Sequence, residues 1–93
     1  MNARIERVRS QRARDTATGA EVYNVDRDHI AYERAGRTWV SFVERGVGVD
    51  SIYLANRPTW DDGQPMTDDE VRSARESIEL VLADWGIRTD FVV

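Results

Sequence analysis

The sequence of 93 residues contains no cysteine, no lysine and a single histidine. Without cysteine, the chain can form neither a disulfide framework nor a thiol nucleophile. A lone histidine without cysteine gives no zinc-ligand pattern, so we expect no metal ion and no other cofactor. No apolar run approaches the ~18–20 residues of a membrane span, and the first residues lack the apolar segment of a secretory signal. These absences lead us to expect a cytoplasmic protein.

The charge balance is acidic, with a net charge of −4, so binding to nucleic acid is not expected. Hydrophobic residues make up 41% and charged residues 32% of the chain, which is typical of a folded domain. The length favours one domain over residues 1–93. Residues 1–14 hold five of the 13 basic residues, all arginine. We expect residues 1–20 to form either a mobile arm or an edge strand, where charge discourages aggregation.

The stretch from Thr59 to Gly86 carries the clearest local signals and predicts one long helix. Thr67 is a suitable N-cap, and Glu70 three residues later completes a capping box. Met66 and Val71 have the spacing of a hydrophobic staple across this cap. Gly86 is expected to end the helix, since it can adopt positive φ. The apolar stripe comprises Val71, Ala74, Ile78, Val81, Leu82 and Trp85.

Alternating apolar and polar residues predict strands in the other segments. The predicted strands are Glu21–Val25, His29–Arg34, Arg37–Glu44 and Ser51–Ala55, with a final strand in Ile87–Val93. Residues 11–20 are polar and predict a loop, and Ala35-Gly36 predicts a tight hairpin turn. We therefore expect an α+β fold: an antiparallel sheet of four to five strands, arranged as a meander, with one long helix packed across one face and a final C-terminal strand.

The same alternation predicts which face of the sheet meets the helix. The residues expected on the helix side are Ile30, Tyr32, Val40, Phe42, Ile52 and Leu54. Trp39, Val43 and Tyr53 would then point away from the helix. They would form either a surface that binds a protein partner, or a second apolar face that the terminal strands cover. The sequence favours neither alternative.

The loop before the helix contributes further candidate binding residues. Trp60 is expected to close the seam between helix and sheet, or else to contact a partner. Asp61, Asp62, Asp68 and Asp69 form a predicted acidic binding patch. Their order does not fit an EF-hand, and turns and a helix N-terminus also favour such residues, so we do not expect a calcium site.

Catalytic signals are sparse. His29 is the one histidine available as a base, and its place in a predicted strand favours an exposed side chain over a catalytic one. No nucleophile-elbow motif surrounds any serine, and Gly46 and Gly48 belong to no phosphate-binding loop. We therefore do not expect an enzyme. A small ligand-binding domain or enzyme that uses His29 is the least favoured alternative.

Three short motifs lie within residues 29–86. They are Tyr32-Glu33-x-x-Gly36-Arg37, Ile52-Tyr53-Leu54, and Trp60-Asp61-x-Gly63-x-Pro65-Met66-Thr67 followed by Glu70 and a helix. In these motifs the chain resembles small immunity proteins of bacterial polymorphic-toxin systems. The resemblance implies a non-enzymatic protein that binds and neutralises a cognate toxin. The expected function is thus protein binding through the acidic patch and the sheet aromatics, and the alternative is a homo-oligomeric structural protein.

Overall fold

The computed structural model describes residues 3–54 and 57–93, and within them the chain forms seven strands and one helix. The strands are β1 (Ile5–Arg9), β2 (Arg12–Asp15), β3 (Ala20–Asp26), β4 (His29–Arg34), β5 (Arg37–Arg45), β6 (Val49–Tyr53) and β7 (Arg88–Val92). The helix, α1, spans Asp68–Asp84 between β6 and β7. It is not long and apolar enough to cross a membrane, and no other helix occurs in the described residues.

The strands lie in the sheet in chain order, so β1 and β7 are its two edges. Strands β1 to β6 form an antiparallel meander, whereas β7 pairs in parallel with β6. A parallel pair needs a crossover connection, and α1 provides it. The helix packs against β7 at one edge and against β1, β2 and β3 at the other. The sheet therefore curls around α1, with its concave face forming one wall of the core.

The α+β class and the long helix are confirmed, but the predicted sheet of four to five antiparallel strands is wrong. The sheet has seven strands, and the last one is parallel. Strand β2 was not predicted, since it lies within residues 11–20, which were expected to form a loop. It has no large apolar residue whose alternation would mark it as a strand. In β2 the inward positions are instead Ala13 and Asp15, both fully buried. The predicted strand over Ser51–Ala55 is observed as β6, which ends at Tyr53; Ala55 lies outside the described residues.

The predicted orientation of β5 is also wrong. Trp39 and Val43 are 5% and 0% exposed, whereas Val40 and Phe42 are 50% and 48% exposed. The reason is the register of the hairpin: Tyr32 lies directly opposite Trp39, and residues directly opposite each other share a face. Because Tyr32 faces the core, Trp39 must do so too. The predicted inward orientation of Ile30, Tyr32, Ile52 and Leu54 is confirmed, since all four are buried.

The predicted ends of the helix are confirmed. The Thr67 hydroxyl accepts the Glu70 N–H at 3.1 Å, and the Glu70 carboxylate accepts the Thr67 N–H at 2.8 Å. At the other end Gly86 has φ of 81°, and the Ile87 N–H donates to the Leu82 carbonyl at 2.8 Å. Together with the bond from the Gly86 N–H to Ala83, this is a Schellman motif.

A buried ion pair fastens the first hairpin to the helix. Asp15 is fully buried on β2 and accepts two hydrogen bonds from the Arg4 guanidinium, at 2.7 and 2.8 Å. The Ser77 hydroxyl on α1 donates to the same carboxylate at 2.6 Å. Burial alone would raise the pKa of Asp15, but the bonds from Arg4 and Ser77 lower it by more, so the pKa lies below its usual value.

Candidate functional site

The convex side of strands β4 to β6 carries an apolar surface that no described residue covers. We call His29, Val40, Phe42 and Tyr53 the outer aromatic face. Phe42 lies opposite His29 in the hairpin, with ring centroids 6.1 Å apart in an edge-to-face arrangement. Its other side meets Tyr53 on β6, with centroids 5.4 Å apart. These contacts hold the Phe42 ring in place while about half of it remains exposed.

Polar groups border the outer aromatic face. The His29 Nδ1 atom lies 2.8 Å from the Asp26 carboxylate, and this hydrogen bond lowers the pKa of Asp26. The Tyr53 hydroxyl donates to Glu44 at 3.4 Å. An apolar centre with a polar rim is the usual organisation of a protein-binding surface.

The convex side of β1 to β3 is quite different, because it is covered by paired charges. The residues involved are Glu6, Arg12, Arg14 and Glu21 on these strands, together with Glu33 on the neighbouring strand β4. Arg12 also stacks on the Tyr23 ring, 4.2 Å from its centroid. Ion pairs therefore dominate this half of the convex side, although Val25 near the end of β3 is also 50% exposed.

Two of the residues predicted to bind a partner do not reach the surface. Trp39 and Val43 belong to the core that packs against the helix, so their predicted outward orientation is wrong. Tyr53 is half-buried and lies on the convex side, as expected. Sequence reasoning missed Val40 and Phe42. The two-residue turn Ala35-Gly36 contained the signal, since it fixes which residues of β4 and β5 lie opposite each other.

Trp60 closes the seam between sheet and helix, which was the first of its two expected roles. It is 4% exposed, and its indole N–H donates to Glu70 at 3.3 Å. Its ring lies beside Tyr32, with centroids 6.0 Å apart, and the Arg37 guanidinium stacks 4.7 Å from its centroid. A contact between Trp60 and a partner would therefore be made only through its edge.

The four aspartates of the predicted acidic patch lie in different settings. Asp61 accepts the Thr38 N–H at 3.1 Å, which joins its loop to β5. Asp62 accepts the Gln64 N–H at 2.9 Å and a bond from Arg37 at 3.1 Å, and the first of these contributes most to lowering its pKa.

All four aspartates reach the surface, and the other two are the most exposed. Asp68 and Asp69 lie in the first turn of α1, with side chains 90% and 88% exposed. Asp69 forms an ion pair with Arg72 at 2.7 Å, and the Arg57 guanidinium is 3.9 Å from Asp68. The acidic patch is thus partly neutralised by neighbouring arginines.

Beside Trp60, the tip of the β4–β5 hairpin and the start of α1 enclose a cleft of about 400 Å³. Its lining comprises Tyr32, Arg34, Ala35, Arg37, Trp60, Asp69, Glu70 and Ser73. The Glu70 carboxylate accepts bonds from the Thr67 N–H, the Trp60 indole and Arg37, and the first contributes most to lowering its pKa. No sequence pattern predicted this cleft, because three separate segments of the chain form it.

Among residues 3–54 and 57–93, no three histidine, aspartate or glutamate side chains are grouped so that they would hold a metal ion. Comparison of the chain with protein-family models, with curated proteins and with solved structures found no match.

Proposed function

We propose that this chain is a non-enzymatic protein-binding domain and that the outer aromatic face contacts the partner. The observation that carries the proposal is the exposure of Val40 and Phe42, each about half exposed in the middle of a sheet. Large apolar side chains that cluster on a rigid sheet favour association, and aromatic residues contribute much of the affinity at such surfaces. Tyr53 keeps the partner role expected of it, and Phe42 takes the place assigned to Trp39.

The specific form of this proposal is a toxin-neutralising immunity protein. The motif resemblance over residues 29–86 supports it, and Phe42 and Tyr53 both lie in that range. The net charge of −4 also supports it, because complementary charge speeds association with a basic partner. Toxins that act on nucleic acids bind phosphates and are partners of this kind. Asp68 and Asp69, the most exposed aspartates of the acidic patch, would act by steering the partner.

Light scattering across a concentration series is the first test. A partner-binding domain is expected to remain a monomer. A dimer that dissociates when Phe42 is changed to Ser would instead assign the outer aromatic face to self-association, and would favour the homo-oligomeric alternative.

The second test is a binding measurement with a purified candidate toxin from the same genome. The change Val40→Thr combined with Phe42→Ser should weaken binding by at least tenfold. Val8→Thr is the matched control, because Val8 is 40% exposed but lies on edge strand β1. Equal affinity of the double variant and the control would refute the proposal.

A further inference from the structure

The β4–β5 hairpin ends in an unusual pair, because Arg34 lies directly opposite Arg37. Like charges at directly opposed positions destabilise a sheet unless anions compensate them. Arg37 is compensated: its guanidinium donates to Asp62 at 3.1 Å and to Glu70 at 3.3 Å, and it stacks on Trp60.

Arg34 has no such compensation within residues 3–54 and 57–93, where it forms no ion pair. It is half-buried and lines the cleft. The two carboxylates in the cleft are occupied, since Glu70 is bonded as described above and Asp69 pairs with Arg72. The cleft therefore presents one guanidinium group that lacks an anion.

Tyr32 provides the second observation. It is 1% exposed and lines the same cleft, yet its hydroxyl proton has no hydrogen-bond acceptor among the described residues. Nearly all buried polar groups in proteins are satisfied, so a buried hydroxyl without an acceptor is exceptional. Burial raises the pKa of this hydroxyl, and the Arg34 guanidinium, which can only donate to the hydroxyl oxygen, opposes the shift. The group therefore keeps its proton, and that proton has no acceptor.

We propose that this cleft binds a carboxylate, which pairs with the Arg34 guanidinium and accepts the Tyr32 proton. The planar fork of a guanidinium group matches a carboxylate with two parallel hydrogen bonds. Because the Tyr32 oxygen is not accessible to solvent, a side chain that lines the cleft must shift for the second contact to form. This site is independent of the outer aromatic face, which lies on the opposite side of the sheet.

Charge and shape favour an organic carboxylate over phosphate. The formal charges of the lining cancel, with Arg34 and Arg37 against Asp69 and Glu70. The cleft therefore offers no net positive charge to offset the second negative charge of a dianion, which costs more to desolvate than a monoanion. The rings of Tyr32 and Trp60 line the same cleft and offer an apolar surface to the body of the ligand. A volume of about 400 Å³ accommodates a small organic acid.

Titration with benzoate, followed by NMR at the Trp60 indole N–H and the Arg34 Nε–H, tests the proposal. Saturable binding is expected with a Kd on the order of 1 mM, as suits a ligand of this size. Benzamide has the same shape without the charge and should bind at least tenfold more weakly, as should inorganic phosphate. N-acetylated dipeptides with a free carboxyl terminus form a second arm. Tighter binding than benzoate would identify a chain terminus as the carboxylate source, and weaker binding would identify a small acid.

Two substitutions and one control complete the test. Arg34→Gln should weaken benzoate binding at least tenfold, and Tyr32→Phe should weaken it about threefold while keeping the ring. Arg88→Gln removes an equal charge from an exposed position on β7 and should leave binding unchanged. Circular dichroism confirms that each variant is folded. Equal affinity for benzoate and benzamide, an Arg34→Gln variant that binds like the unmodified chain, or no saturable binding of benzoate would overturn the proposal.

Discussion

The replacement of Asp15 by asparagine probes the contact that fastens β2 to the helix. The change keeps the shape of the side chain but removes its charge. The carboxylate accepts four hydrogen bonds: two from Arg4, one from Ser77 and one from the Ala17 N–H. In the variant, one Arg4 N–H group would face an amide N–H₂ group, and the other bonds would lose their charge-assisted character. Ser77 can compensate by rotating its hydroxyl to accept a hydrogen bond.

The expected loss in the free energy of unfolding is about 3 kcal/mol. Hydrogen bonds to a charged group contribute about 1.5–3 kcal/mol each, and about two of them are lost or weakened here. Removing one partner of a buried ion pair lowers the free energy of unfolding by about 3–5 kcal/mol. The lower end of this range of energies applies here, because the Arg4 side chain is 30% exposed and can form hydrogen bonds with water in the variant. For a domain of this size, the melting temperature should fall by about 12–24 °C.

The assay is urea unfolding followed by tryptophan fluorescence and circular dichroism. Glu6→Gln is the control: Glu6 pairs with Arg14 at the surface, with a side chain 57% exposed, and its loss should cost less than about 0.5 kcal/mol. A loss below about 1 kcal/mol for Asp15→Asn, at an unchanged denaturant slope, would refute the reasoning. It would show that the buried pair contributes no more than a surface pair.

The same variant isolates a pH dependence. The pKa of Asp15 is lowered in the folded chain, so its stabilisation is complete above the unfolded pKa, near 3.8, and is lost as the pH falls through the folded value. The stability difference between the unmodified chain and Asp15→Asn should therefore be constant near neutral pH and should shrink in acid below about pH 4. A stability difference that increases as the pH falls would contradict the lowered pKa of Asp15.

Three further predictions concern single side chains, each measured by urea unfolding. Thr67→Ala should cost about 1 kcal/mol because it removes the N-cap bond to Glu70, and Thr67→Ser should restore that stability. Tyr32→Phe should leave stability unchanged or raise it by up to about 1 kcal/mol, since it removes a buried hydroxyl whose proton has no acceptor; a loss of stability would reveal an acceptor. Val43→Ala should cost about 2 kcal/mol and Val40→Ala less than about 0.5 kcal/mol, because only Val43 is buried; equal costs would contradict the register of β5.

The helix was predictable because its determinants are local. The capping box needs two residues three positions apart, and the Schellman motif needs one glycine after the apolar stripe. Both form through bonds within a few residues, between Thr67 and Glu70 and between Leu82 and Ile87. Such signals do not depend on the rest of the fold, and the structure reproduces each of them.

The orientation of β5 was also determined by the sequence, but by a relation between two strands. Ala35 and Gly36 both have positive φ, at 52° and 80°, as a two-residue type I′ turn requires. Such a turn places Arg34 opposite Arg37 and therefore Tyr32 opposite Trp39. Alternation within β5 alone is ambiguous, because Val40 and Phe42 are as apolar as Trp39 and Val43. Applying the turn register to both strands would have removed the ambiguity.

The cleft and the first hairpin could not be predicted in this way, since both depend on distant contacts. Asp15 and Ser77 are 62 residues apart, and only the curled sheet brings them together. Nothing within RARD marks Asp15 as buried, because the pairing with Arg4 is what permits its burial. In the same way, Arg34 forms no ion pair among the described residues because Asp62 and Glu70 already pair with Arg37.

The apolar residues on both faces of β5 are the strongest argument that this sheet binds a partner and is not only structural. A strand that is apolar on both faces is normally covered on both faces. Here α1 lies on the concave side only, and among the described residues no element covers the convex side of β4 to β6. Strands β1 to β3 show how this chain builds a convex surface that faces water, with arginine and glutamate in ion pairs. The change from those pairs to Val40 and Phe42 within one continuous sheet is not required by the core, and a partner that covers them accounts for it.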